Sequence, residues 1–276
     1  MNDVHSIMEQ DAATAFSRQA PVFDALYGGN QIIRYKRARV RAHLSRFLNP
    51  ECKLLELNCG TGEDAIYFSN QGHQVCATDV SHAMLEELER KASAQPIAGR
   101  LTVRQCSFHN LDALGFEHQF DAVFSNFGGL NCTHRLAEVL ASCNSLLKPG
   151  GTITVVIIPP FCLWESLLLL KGEWRTATRR WFSRRGALAQ VEGQSFPCWY
   201  YRPVYLRKAL SAGYEGLALE GLCTIVPPSY RENFPRRFPR LLRCLQWLED
   251  RLAASWPFRA MGDYFIMTLR KKAVED

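Results

Sequence analysis

The chain has 276 residues, 47% hydrophobic and 22% charged, a balance that supports a buried core and excludes collagen, coiled coil and long disordered tracts. Its 33 Lys+Arg against 27 Asp+Glu leave a net charge of +6, too small for a dedicated nucleic-acid binder unless the charge is clustered. The ten cysteines and seven histidines show no C-x-x-C, H-x-x-x-H or H-E-x-x-H spacing, so reduced thiols and no metal site are expected.

The start, Met1-Asn2-Asp3-Val4-His5, has neither the cationic nor the apolar region of a signal peptide, which predicts a cytoplasmic protein. Arg34–Leu48 follows with helical spacing, Val40, Leu44 and Leu48 on one face and basic residues on the others. Apolar runs at Lys53–Leu57, Gln74–Thr78, Leu101–Gln105, Ala122–Ser125 and Thr152–Ile158 then alternate with helical patterns near Asp64–Gln71, Ala83–Ala94 and Arg135–Leu147. Gly72-His73, Pro96 and Pro149-Gly150-Gly151 punctuate the series. Such alternation means a parallel sheet covered by helices.

Beyond the fifth strand the pattern turns irregular. Pro159-Pro160 and Glu165 deny the apolar stretch Ile153–Leu170 a membrane span. An apolar helix around Leu163–Leu170, a basic stretch Arg175–Arg185 and a helix at Val204–Ala212 follow. The tail offers a strand at Leu217–Val226, a basic amphipathic helix at Arg236–Ala253 and a last strand at Asp263–Arg270, the two strands suiting an antiparallel edge pair. No repeat or Ser/Gly-rich linker divides the chain, which reads as one domain with insertions.

The most informative segment is Leu54-Leu55-Glu56-Leu57-Asn58-Cys59-Gly60-Thr61-Gly62-Glu63-Asp64-Ala65, an apolar strand ending in a glycine turn that opens a helix. Glycine lets a ligand approach the backbone, and the helix N-terminus offers free N–H groups. Asp79 ends the second strand, where an acid can accept hydrogen bonds from ribose hydroxyls. Together these make a nucleoside site. Gly60-x-Gly62-x-x-Ala65 formally satisfies the dinucleotide fingerprint, so NAD competes for it. Against NAD stands Glu56, a charge that a pyrophosphate would not welcome and that a sulfonium with an α-amino group would use.

Glu56 through Gly62 resembles the first motif of the class I S-adenosylmethionine-dependent methyltransferases, with Asn58 at the first glycine, a residue that visits left-handed backbone readily. Asp79, Phe120-Asp121-Ala122-Val123 and Leu146-Leu147-Lys148-Pro149-Gly150-Gly151 fit the same family in order, and with the C-terminal hairpin the resemblance covers nearly all of the chain. It implies an α/β fold: a Rossmann-like, doubly wound, mostly parallel seven-stranded sheet with an antiparallel C-terminal edge hairpin and a helical lid insertion. Residues 1–50 would form an N-terminal helical lid, 51–158 the cofactor-binding core, 159–205 the acceptor insertion, and 206–276 the C-terminal helix and edge strands.

For S-adenosylmethionine the resemblance implies that the backbone at Asn58, Gly60 and Gly62 lines the methionine moiety and Asp79 binds the ribose, with Glu56 and Cys59 among the cofactor-binding residues. Val80 and Met84 would flank adenine. Ser107 with the Phe108 amide stands where the family usually has an acid near the adenine amine. Asn126 and Phe127, after the fourth strand, would face methionine and acceptor. Tyr27, Asn30 and Arg34, around Gly28-Gly29, resemble a lid of small-molecule members, with Arg34 placed to pair with the cofactor carboxylate. Each has a plain reading beside this one: turn residue, strand end or solvated helix face.

His109 and His134 are the candidate general bases, although in-line positioning of an activated methyl donor can dispense with one. The region Phe161–Tyr205, dense in aromatics such as Trp164, Trp174, Trp181, Phe182 and Trp199, suits a cover over a flat apolar acceptor or the core of a small lid. Its Lys171, Arg175, Arg179, Arg180, Arg184 and Arg185, and a second face with Arg236, Arg237, Arg240 and Arg243, are read as a solvated surface, with an anionic membrane or carrier protein, or nucleic acid, as alternatives. The expected reaction is direct methyl transfer, favouring oxygen, to a small aromatic or lipophilic acceptor. A nucleic-acid methyltransferase is one rival, lacking here the Asn/Asp-Pro-Pro-aromatic tetrad; a cofactor-binding scaffold without activity is another.

Overall fold

The computed structural model describes residues 4–97, 99–181 and 186–273. Two helices open the chain, α1 (Val4–Gly28) and α2 (Gln31–Ser45). The break between them is set by Gly28-Gly29 and by Asn30, whose Oδ1 accepts from the Ile32 and Ile33 amides at 2.9 and 3.2 Å. Ile32, Lys36, Val40 and Leu44 recur every four residues on α2 and are its buried stripe.

The chain then alternates through β1 (Lys53–Leu57), α3 (Glu63–Asn70), β2 (Gln74–Asp79), α4 (His82–Ala92), β3 (Leu101–Gln105), β4 (Phe120–Ser125), α5 (Leu136–Leu146) and β5 (Leu147–Ile157). The five strands are parallel in the order β3-β2-β1-β4-β5. Successive residues of the central strands alternate between two cores: Leu55, Val123 and Val155 join one, Leu54, Phe124 and Val156 the other. That two-sided burial is why these strands are nearly continuous apolar runs. Because β2 and β4 flank β1 on opposite sides, the strand order reverses there and leaves a crevice at the carboxyl ends.

The segment after β5 departs from the expected helical insertion. Two short helices, α6 (Leu163–Ser166) and α7 (Trp174–Thr178), are followed by an antiparallel hairpin, β6 (Ala187–Val191) and β7 (Gln194–Cys198). Its two-residue turn, Glu192-Gly193, has φ of +48° and +74°, the left-handed pair that matches strand twist in tight hairpins. Phe182, Arg184 and Arg185 of the aromatic and basic stretch lie outside the described residues.

The chain ends through α8 (Pro203–Ala209), β8 (Tyr214–Leu222), α9 (Phe234–Arg237), α10 (Pro239–Leu252) and β9 (Tyr264–Lys271). β9 pairs antiparallel with both β5 and β8, completing a seven-stranded sheet with the expected antiparallel edge. The single basic helix expected over Arg236–Ala253 is two. Pro239 pushes Phe238 out of helical backbone, to φ −134° and ψ 58°. Among the described residues no helix is long and apolar enough to cross a membrane.

Two contacts tie the added pieces to the core. Helix α1 packs against the hairpin through Ala12, Ala15 and Phe196, with the Phe16 and Phe196 rings 5.8 Å apart, and its Ser17 hydroxyl meets that of Ser81 at 2.7 Å. A buried ion cluster joins α2, the insertion and the residue before β9: Asp263 binds Lys36 at 2.6 Å and Arg180 at 2.9 Å, and Glu165 binds Arg180 and Arg179 at 2.7 and 2.8 Å.

Candidate functional site

A cleft of about 890 Å³, its open mouth included, lies at the carboxyl ends of β1, β2 and β4. Its floor is the turn between β1 and α3, where Asn58, Gly60 and Gly62 have φ of +55°, +54° and +75°. The two glycines do different work. A side chain on Gly60 would meet open space, so the cleft reaches the backbone there; one on Gly62 would lie 2.0 Å from Leu88 Cδ1, so Gly62 lets α3 and α4 close together. Asn58 is accommodated because its neighbour across the cleft is Gly129, where a Cβ would come within 2.6 Å of the Asn58 Cβ.

Asp79 is anchored by backbone: Oδ2 accepts from the Gly60 amide and Oδ1 from the Ser81 amide, both at 2.9 Å. Burial raises its pKa and those amides pull it back. Glu56, on β1, is 2% exposed, and its Oε2 has no hydrogen-bond partner among the described residues. Its pKa stands well above the usual carboxylate range, first through burial and then through the nearby Asp64 carboxylate, with Arg37 and Arg41 opposing.

Asp64 itself is fully engaged, accepting from Arg41 Nε at 2.6 Å and from Asn126 Nδ2 at 2.7 Å. Asn126 Oδ1 accepts in turn from the Phe127 amide at 2.7 Å. Phe127 is held at φ +46°, with the Arg37 guanidinium 5.4 Å from its ring. Cys59 lines the cleft, but burial and the adjoining Asp79 and Glu56 raise its thiol pKa well above normal, so it is no thiolate nucleophile.

The cover is α1, which contributes Glu9, Ala12, Ala13, Phe16 and Phe23; among the described residues none from 159–205 lines the cleft. The β6–β7 hairpin of the insertion instead buttresses α1.

Of the residues singled out from sequence, the structure brings together Glu56, Asn58, Cys59, Gly60, Asp79, Val80, Met84, Phe108, Asn126 and Phe127. Tyr27 and Arg34 lie instead on an adjoining hollow between α1, α2 and α3, which shares Phe23, Arg37 and Glu63 with the cleft. Asn30 caps α2 and donates to the Ser229 carbonyl at 2.9 Å. The Ser107 hydroxyl donates to Glu9 and accepts from the His109 amide at 3.0 Å. His109 and His134 are off the cleft lining, their rings packed 4.6 Å from Phe108 and 5.5 Å from Trp199. Sequence reasoning missed Glu9, Phe16, Arg37 and Asp64, while Phe23 opens the Phe23-Asp24-x-x-Tyr27-Gly28-Gly29-Asn30 stretch that resembles a lid. Of those missed, only Asp64, in the first turn after the glycines, carried a local signal.

Residues 54–151 match a family model described as a methyltransferase domain. This match, over about a third of the chain, supports a class I S-adenosylmethionine-dependent methyltransferase. Over 173 residues it is 27% identical to dTDP-3-amino-3,4,6-trideoxy-alpha-D-glucopyranose N,N-dimethyltransferase of Streptomyces venezuelae, covering 58% of this chain and 67% of that one. Over 111 residues it is 33% identical to the ubiquinone/menaquinone biosynthesis C-methyltransferase UbiE of Shewanella sp. (strain ANA-3), covering 39% and 43%. The chain thus spans about half to two-thirds of the length of the curated relatives it matches. In fold it resembles the 1,6-didemethyltoxoflavin-N1-methyltransferase of Burkholderia thailandensis, solved with S-adenosylhomocysteine, at a TM-score of 0.57 and 20% identity over 95% of this chain and 88% of that one. The cofactor of the methyltransferase family is S-adenosylmethionine. Among the described residues no group of three or more His, Cys, Asp or Glu could hold a metal ion.

Proposed function

We propose that the chain transfers the methyl group of S-adenosylmethionine to a small, flat and partly apolar acceptor, with oxygen the favoured acceptor atom. The observation that carries this reading is one cleft holding two different carboxyls, buried Glu56 with an unpartnered oxygen and partly buried Asp79 anchored by two backbone amides. A ligand with a cationic amine and a sugar diol meets both needs: the amine supplies the charge Glu56 lacks, and the hydroxyls donate to lone pairs that Asp79 still has free. Asn58, Cys59 and Gly60 would hold the amino-acid end, and Val80, Met84 and Phe108 the base.

When bound, S-adenosylmethionine supplies a methyl group already activated on a sulfonium centre. The protein's contribution is then positioning and exclusion of water. Asn126, tied to Asp64 and to the Phe127 amide, is a fixed wall, and Phe16, Phe23 and Phe127 give the remaining space an apolar lining. No histidine lines the cleft among the described residues. In-line positioning of the activated donor can do without one.

The test is thermal unfolding with S-adenosylmethionine, S-adenosylhomocysteine, NAD or NADP, followed by an acceptor screen that scores S-adenosylhomocysteine release. Ligand at ~100 times its Kd adds about 2.7 kcal/mol, which raises the midpoint by roughly 5–10 °C in a chain of this size. A shift with the adenosyl compounds alone supports the reading; a shift with NAD or NADP alone refutes it. Acceptors offering nitrogen and carbon belong in the screen, because the named relatives methylate those atoms.

A further inference from the structure

We propose that Glu9, carried on α1, is the residue that selects an amino-substituted purine in the cofactor cleft. The inference rests on the nucleoside reading above and names a specificity determinant within it.

The sheet edge orders the cleft. The glycine turn follows β1, Asp79 ends β2, and Ser107 and Phe108 follow β3, the next strand outward. With a ribose at Asp79 and an amino-acid tail toward β1 and β4, the base extends toward β3. There Val80, Met84 and Phe108 make an apolar slot, the lining that a flat ring requires. Glu9 sits at this slot and is 4% exposed. Its Oε2 accepts from the Ser107 hydroxyl, which fixes the carboxyl, while Oε1 is buried with no hydrogen-bond partner among the described residues.

A fixed acceptor oxygen buried against an apolar slot demands a donor from whatever fills the slot. The exocyclic amine of adenine is such a donor. A 6-oxo base would set acceptor against acceptor, and sites built on one buried hydrogen bond reject the analogue that cannot make it far more strongly than apolar pockets reject a size change. Burial also raises the Glu9 pKa, with the Ser107 hydroxyl and Phe108 amide pulling back, so an incoming donor relieves an unfavourable charge. Because Glu9 belongs to the covering helix, the same contact ties closure of α1 to the identity of the base.

The experiment is calorimetric titration of the full chain, wild type, Glu9→Gln and Glu9→Ala, with S-adenosylhomocysteine and with its 6-oxo (hypoxanthine) analogue. Wild type is expected to prefer the amino base by at least ~10-fold, the cost of one missing hydrogen bond to a charged group. Glu9→Gln keeps an acceptor for Ser107 and can turn its amide nitrogen to the slot. It should bind the 6-oxo analogue more tightly than wild type does, a gain that damaged folding cannot produce. Glu9→Ala should bind both within about 3-fold of one another, the spread left when the pocket has no directional contact. An undiminished preference for the amino base in both variants, or a wild type that binds the two compounds equally, overturns the proposal. A wild type that binds neither refutes the nucleoside reading as well.

Discussion

The Asp79 carboxylate reaches across from the end of β2 to accept a hydrogen bond from the Gly60 amide at 2.9 Å. One side chain therefore shapes the glycine turn of the neighbouring strand and presents its remaining lone pairs to the cleft. Hydrogen bonds to a charged group contribute about 1.5–3 kcal/mol each, and removing the acceptor leaves two partly buried amides without it. Asp79→Ala should lower unfolding stability by roughly 2–3 kcal/mol and weaken S-adenosylhomocysteine binding by about 100-fold. Asp79→Asn, which keeps one acceptor, should fall between. Urea unfolding and calorimetry measure the two effects separately; loss of stability with binding unchanged would place Asp79 in the turn alone.

Glu56 should show the opposite relation between stability and binding. Its folded pKa lies well above that of a free carboxyl, first because it is buried and then because Asp64 is close. The unfolded chain releases that proton from about pH 4.5 upward while the folded chain holds it, so the group costs stability increasingly as pH rises above that value. Glu56→Gln should thus raise the melting temperature of the free protein at pH 8 and leave it nearly unchanged at about pH 4. The same variant should bind S-adenosylhomocysteine about 10- to 100-fold more weakly, the loss of one buried charge-assisted contact to the amine. A variant less stable at pH 8 than wild type would contradict this account.

The parallel core was legible because its signals are local. Apolar runs, the glycine turn and Asp79 each declare themselves within a few residues, and Asn58, Gly60, Val80, Met84 and Phe127 come together as those signals imply. What stayed hidden depends on tertiary approach. Glu9 sits 98 positions before the Ser107 hydroxyl it binds, in a helix whose cleft face looks like any other alanine-rich helix face. Arg37 and Arg41 read as a solvated basic surface because nothing local announces that α2 lies along α3, where Glu63 and Asp64 receive them. The β6–β7 hairpin escapes a sequence reading because its turn is Glu192-Gly193, a weaker signature than Asn-Gly, and because the aromatic density beside it suggests a lid.

Gly62 offers a test of packing distinct from ligand approach. Its φ of +75° is one objection to a side chain there, and the 2.0 Å that would separate an added Cβ from Leu88 Cδ1 is an independent second. Overpacking a core costs about 1–3 kcal/mol and a left-handed alanine about 1 more, so Gly62→Ala should lose roughly 2–4 kcal/mol. Adding Leu88→Ala should recover part of that loss in the Gly62→Ala background, although Leu88→Ala alone is destabilising, since Leu88 is fully buried. Equal losses from Leu88→Ala in both backgrounds, measured by urea unfolding, would show that the clash is not the cause.

Asp263 should contribute to the acid limb of the stability curve. Burial alone would raise its pKa, yet Lys36 at 2.6 Å and Arg180 at 2.9 Å hold it at about 2. A folded pKa below the unfolded value of 3.8 gives a contribution that is complete above about pH 4 and is lost as pH falls toward 2, about 2 kcal/mol in all. Asp263→Asn removes that dependence and also leaves Lys36 and Arg180 buried without their carboxylate. Breaking one side of such a cluster costs about 3–5 kcal/mol, so the variant should be destabilised by that amount near pH 7 and by visibly less at about pH 2.5. Because Arg180 and its neighbour Arg179 also bind Glu165, the loss should loosen the insertion from β9 and α2 and speed tryptic cleavage after Arg179 or Arg180. Lys36→Met combined with Asp263→Asn should cost less than the sum of the two single changes, as partners in one cluster do. Strict additivity in unfolding free energy, with cleavage rates unchanged, would show that the cluster does not hold the insertion in place.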